Sequence, residues 1–147
     1  MNFMKYISTL SIAAVVILTG CTKEPAAKTT AGHYLTATSS TIGTFSVTGT
    51  SISAGGAAGA KISITAESAS GSYLTLYINP YAGTVGVLPI SGTPAVGGVY
   101  HPTPGTAITS VSGNITLTAV TPDIIGTFNY TASDGSTFAG SFDVAAP

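Results

Sequence analysis

Carboxylate and imidazole chemistry in this sequence rests on five acids and two histidines: Glu24, Glu67, Asp123, Asp134, Asp143, His33 and His101. Asp123 and Asp134 bracket one alternating run. At about 3.3 Å per strand residue they sit roughly 30 Å apart, against about 5–10 Å for a glycosidase pair. Asp143 falls nearer Asp123 on the following run, but at an outward position. Glu67 ends another run with no identifiable partner. His33 and His101 are far apart, and no cluster has metal-ligand spacing or the form of an acidic calcium loop. There is no Gly-x-Ser-x-Gly, and "AGGAAGA" lacks the spacing and the Lys-Ser/Thr of a phosphate loop. The expectation is no catalytic residue, no metal and no cofactor, with the acids as solvated surface and turn groups, and hence no enzyme.

Binding chemistry points instead to aromatic rings. Tyr77, Asn79, Tyr81, Tyr100 and His101 flank or occupy stretches rich in Pro and Gly. They are the candidate ligand-binding residues, since tyrosines present an apolar face and a hydroxyl at the rim. The competing role for these rings is to cap the ends of a core. Sugar-binding platforms usually include Trp, and this chain has none.

Charged residues make up 6% of the 147 residues, and the four cations are all lysines: Lys5, Lys23, Lys28 and Lys61. So few cations build no basic stripe, which argues against nucleic acid as a partner. Val, Ile, Leu, Phe and Tyr recur throughout, so low charge does not mean disorder. The remainder is mostly Ser, Thr and Gly, which suits strands and turns.

Residues 1–20 read as an export signal: Lys5 supplies the positive start, and Ile7 to Leu18 form an apolar run too short for a comfortable membrane span. Leu18-Thr19-Gly20-Cys21 resembles a bacterial lipobox. The resemblance implies cleavage before Cys21 and a diacylglycerol on its thiol, followed by further acylation with a fatty acid such as palmitate. Cys21 is the only cysteine, so no intrachain disulfide forms. Each buried acyl methylene contributes about 0.8 kcal/mol, so several chains anchor the protein stably. Thr22 stands where an Asp would resemble an inner-membrane retention signal, which favours the outer membrane, on either face. Residues 21–32 form the lipidated cysteine and a flexible tether, and residues 33–147 the folded domain.

Within that domain, apolar and polar residues alternate in Ala60 to Ala66, Tyr73 to Ile78 and Asn114 to Val120. Weaker strands are Tyr34 to Thr38, Gly43 to Thr48, Thr84 to Leu88, Val99-Tyr100 and Ala107 to Val111. With two closing strands, about nine or ten short strands result. They imply an all-β fold, an antiparallel β-sandwich or alternatively a small barrel. Ser53 to Ala60 reads as a loop, because its three glycines each cost about 1 kcal/mol in a helix. Pro89 to Gly105, with four prolines and four glycines, is expected to be largely loop and a place to look for function.

The closing stretch, Ile124 to Val144, fixes its own register. A two-residue Asp134-Gly135 turn throws its aromatic residues onto opposite faces, because a one-residue slip flips a strand. A three-residue loop, Ser133-Asp134-Gly135, sets Tyr130 opposite Phe138, Phe128 opposite Gly140, Gly126 opposite Phe142 and Ile124 opposite Val144. Each glycine then makes room for the ring across from it.

Gly113, Ile115, Leu117, Ile125, Gly126, Phe128, Gly140 and Phe142 resemble the C-terminal pattern of small Bacteroidota lipoproteins that carry a β-rich domain of unknown function. That resemblance covers about the last 35 residues and implies a lipid anchor and an all-β domain. It carries no catalytic residues. The expected function is a lipid-anchored, non-catalytic envelope protein, an accessory or binding subunit whose partner is a glycan or another envelope protein. A surface glycan- or peptide-binding module and a pilus or stalk subunit are the alternatives. The pilins it resembles mature by cleavage after Arg, which this chain lacks.

Overall fold

The computed structural model describes residues 32–90 and 95–147. The expected signal segment, Cys21 and nearly all of the expected tether lie outside the described residues. Among those described, no helix is long and apolar enough to cross a membrane.

Ten strands form: β1 (Tyr34–Ser39), β2 (Gly43–Thr48), β3 (Ile52–Gly56), β4 (Ile62–Glu67), β5 (Tyr73–Ile78), β6 (Gly86–Ile90), β7 (Val96–His101), β8 (Ile108–Ala119), β9 (Asp123–Ala132) and β10 (Thr137–Ala145). Every pairing is antiparallel. The order is β2-β1-β10-β9-β8-β7-β5-β4-β3, with β6 on β8. The sheet folds over until β3 approaches β10, giving a nearly closed, barrel-like all-β domain.

Alternation explains which face turns inward. Leu74, Leu76 and Ile78 of β5 and Ile62 and Ile64 of β4 are fully enclosed, while Tyr73, Tyr77 and Lys61 look out. The closing hairpin adopts the three-residue loop. Tyr130 pairs with Phe138, Phe128 with Gly140, Gly126 with Phe142 and Ile124 with Val144. The Ala132 amide donates to Ser136, the Gly135 amide donates to Ala132, and Gly135 takes the left-handed conformation at φ 83°. A Cβ on Gly140 would meet Phe128 at 2.7 Å, and one on Gly126 would meet Phe142 at 2.7 Å. Each glycine is thus a seat for the ring opposite.

Three expectations are corrected. Among the described residues of Pro89 to Gly105, Pro89, Ile90 and Val96 to His101 are strand rather than loop: β7 pairs with β5 along its whole length, and β6 pairs with β8. Pro89 is tolerated because β6 pairs only with β8, and proline is accommodated on strands that have an unpaired side. Gly97 and Gly98 lie in a central strand because Ser110 and Tyr130 crowd against them, the Tyr130 ring 2.7 Å from where a Gly98 Cβ would be. The run Ser53 to Ala60 is loop only in its second half, since Ser53 to Gly56 belong to β3 at the sheet edge. Finally, Ala107 to Val111 and Asn114 to Val120 are not separate strands but parts of the single strand β8. Register shifts at Ser110/Ser112 and Leu117/Ala119 bend it, as bulges do. Its start therefore serves β7 and its middle serves β6.

Candidate functional site

The candidate aromatic residues separate into two groups. Tyr100 is 6% exposed, with its ring 6.0 Å from Phe45 and 5.7 Å from Phe138. It is a core ring and is corrected from ligand contact to packing. Tyr81 is 4% exposed and donates a long 3.4 Å hydrogen bond to the Val120 carbonyl. Burial pushes its phenol pKa up. It is the floor of an open cavity of about 410 Å³ lined by Ala58, Gly83, Val120, Thr121, Ala146 and Pro147. Binding sites of this size need several convergent polar groups, and Tyr81 and Thr121 supply the only side-chain hydroxyls in its lining. Asn79 is exposed, at the end of β5.

Tyr77 and His101 stay at the surface, on one outward sheet face. His101 on β7 pairs with Tyr73 on β5, and their rings stack at 4.3 Å and 18°. Tyr77 lies four residues along β5 from Tyr73, about 13 Å away on the same face. The Lys61 ammonium sits 4.3 Å above its ring, a cation–π contact. Between the two tyrosines, Thr75 is buried and hydrogen-bonds Thr65 at 3.1 Å, making a polar floor. Gly97 faces Tyr77 across the ladder, so one side of that ring carries no neighbouring side chain from β7. The result is a rigid ledge of three rings on paired strands. Tyr73 was missed from sequence, although its alternation with Leu74 placed it on the same face as Tyr77.

A second assembly gathers where the chain enters the domain. Ligand atoms of His33, Asp123 and Asp143 all lie within 4.8 Å of one another. His33 Nε2 is 3.8 Å from Asp123 Oδ1. Sequence spacing alone gives no such cluster; the fold brings these three residues together. The hairpin register already sets Asp143 opposite Ile125, two residues from Asp123. What sequence spacing did not contain is the pairing of β1 with β10, which delivers His33.

Asp134 has a separate, structural role. Its Oδ1 accepts hydrogen bonds from the Ser136 amide at 2.9 Å and the Ser136 hydroxyl at 2.6 Å. The hydroxyl bond, and then the amide bond, hold its carboxyl pKa below the usual value.

The sequence matches no protein-family model, no curated protein and no solved structure.

Proposed function

We propose that this protein is a lipid-anchored, non-catalytic lipoprotein of the outer membrane that carries a glycan-binding β domain. The Leu18-Thr19-Gly20-Cys21 run behind an apolar segment supports the anchor. The observation that carries the binding reading is the ledge of Tyr73, His101 and Tyr77. Flat rings held on a paired strand present apolar faces to sugar rings, and the nearby hydroxyls and Lys61 offer hydrogen bonds. Because the strands fix the rings before binding, little ordering cost opposes a ligand.

Two measurements test the two parts. Cys21→Ser should abolish palmitate incorporation and move the protein from the membrane to the soluble fraction; retention of both counts against the anchor. On a broad glycan panel, Tyr77→Ala combined with His101→Ala should weaken binding at least tenfold while leaving the fold intact. Absence of binding by the unaltered protein across the panel, or binding to peptides alone, counts against the glycan reading. Tyr81→Ala and Tyr100→Ala are unsuitable probes, because both rings are buried.

A further inference from the structure

His33, just ahead of β1, meets Asp123 of β9 and Asp143 of β10, which belong to neighbouring strands. Asp143 on β10 lies directly between Tyr34 on β1 and Ile125 on β9. Cross-strand partners share a face, so these two larger side chains flank the carboxylate on either side. Oδ1 of Asp143 is sealed from solvent and has no hydrogen-bond partner among the described residues. An unmet acceptor of this kind is costly in a folded protein. Asp123 approaches along the neighbouring strand, two positions before Ile125. His33 stands one residue ahead of β1, where strand alternation no longer dictates side-chain direction. Its own carbonyl accepts the Gly49 amide at 2.8 Å, which fixes its backbone.

We propose that His33, Asp123 and Asp143 bind a single divalent transition-metal cation with the ligand preference of Zn²⁺. Two carboxylates and one imidazole are a mixed hard and borderline set. Imidazole favours zinc and its neighbours, whereas calcium and magnesium take shells made of oxygen. Around zinc, with bonds of roughly 2.0–2.2 Å, tetrahedral ligand atoms lie about 3–3.5 Å apart. The present spread, within 4.8 Å, closes to that by side-chain rotation. Three protein ligands leave a further position for water. The cation meets the unpartnered Asp143 oxygen and offsets the repulsion between the two carboxylates. It also ties the residue at which the tether joins the domain to the last two strands.

The test uses the full chain in detergent, freed of metal by a chelator, with Zn²⁺ and Ca²⁺ as probes in titration calorimetry and thermal unfolding. About one Zn²⁺ should bind per chain, at least tenfold more tightly than Ca²⁺, and raise Tm. Asp143→Asn and His33→Ala should each weaken Zn²⁺ binding at least tenfold; Glu67→Gln, on an exposed acid elsewhere, should leave it unchanged. Without metal, Asp143→Asn should melt at or above the unaltered protein, because the amide removes one of two neighbouring negative charges. A lower Tm for metal-free Asp143→Asn, with no saturable Zn²⁺ binding by the unaltered chain, would instead assign Asp143 a purely structural ion pair and overturn the proposal. Zn²⁺ binding that survives both substitutions places the cation elsewhere, and a preference for Ca²⁺ overturns the assigned class.

Discussion

Two sets of aromatic rings lie on opposite faces of the same folded sheet. The inner set runs Phe142, Phe128, Tyr130, Phe138, Tyr100 and Phe45, each ring within 4.9–6.5 Å of the next. The outer set is the Tyr73–His101 stack and Tyr77 under Lys61. Inner rings sit over glycines: Phe128 over Gly140, Phe142 over Gly126 and Tyr130 over Gly98. Outer rings lean on one partner each, His101 for Tyr73 and Lys61 for Tyr77, and their other ladder neighbours are Glu67, Ser63 and Gly97. The difference shows that glycine in this sheet is a packing residue. Where a ring must lie flat against the strand opposite, the strand gives up its side chain. Where the ring faces solvent it does not fill the glycine's place: Gly97 lies opposite Tyr77, yet Ser110 occupies the space that a Gly97 Cβ would take.

The hardest blow to the inner set should be Gly140→Val. Its new atoms would collide with the Thr36 carbonyl as well as Phe128, and both are held by paired strands. Loss of more than about 3 kcal/mol is expected, the scale of severe overpacking, read by urea unfolding. Near-normal stability would mean that the glycine seats are incidental.

Phe138→Ala follows, at about 3–5 kcal/mol in the same measurement, because the ring is fully buried between Tyr130 and Tyr100. Tyr130→Phe should go the other way. Its hydroxyl is buried without a hydrogen-bond partner among the described residues, so removal should stabilise by about 1 kcal/mol. Burial first, and then the Asp134 charge, push its phenol far above the ordinary value. A raised folded pKa gives stability that is complete below the unfolded value, about 10, and is lost as pH rises above it. The decline in stability above pH 10 should therefore be shallower in Tyr130→Phe.

The smallest effect belongs to the outer set. Tyr73→Ala should cost no more than about 1 kcal/mol, in line with a partly exposed aromatic pair. A cost as large as that of Phe138→Ala would erase the distinction between the faces.

Part of this was legible beforehand. Alternation alone gives Tyr73 to Ile78 its true bounds, and the spacing of two glycines and four rings gives the closing hairpin its register. Both are local, since alternation acts within a strand and a hairpin loop couples its own arms. The strands within Pro89 to Gly105 are not legible, because Pro and Gly are turn formers by local chemistry. Pro89 rests on an edge, and Gly97 and Gly98 answer to Ser110 and Tyr130, which are remote in the chain. The candidate site is only partly legible for the same reason. Tyr77 and Tyr100 look alike in sequence, yet one looks outward and the other packs against Phe45 and Phe138.

The all-β class, the two faces of the clearest strands and the geometry of the last hairpin follow from local sequence, because periodicity and turn chemistry need only neighbouring residues. Tertiary structure decided which rings became core, and it brought His33 to Asp123 and Asp143. That meeting depends on β1 lying beside β10, where Thr36 and Ser141, 105 residues apart, come to 3.3 Å. Such a pairing is selected by burial of the whole core, and no local pattern in the chain encodes it.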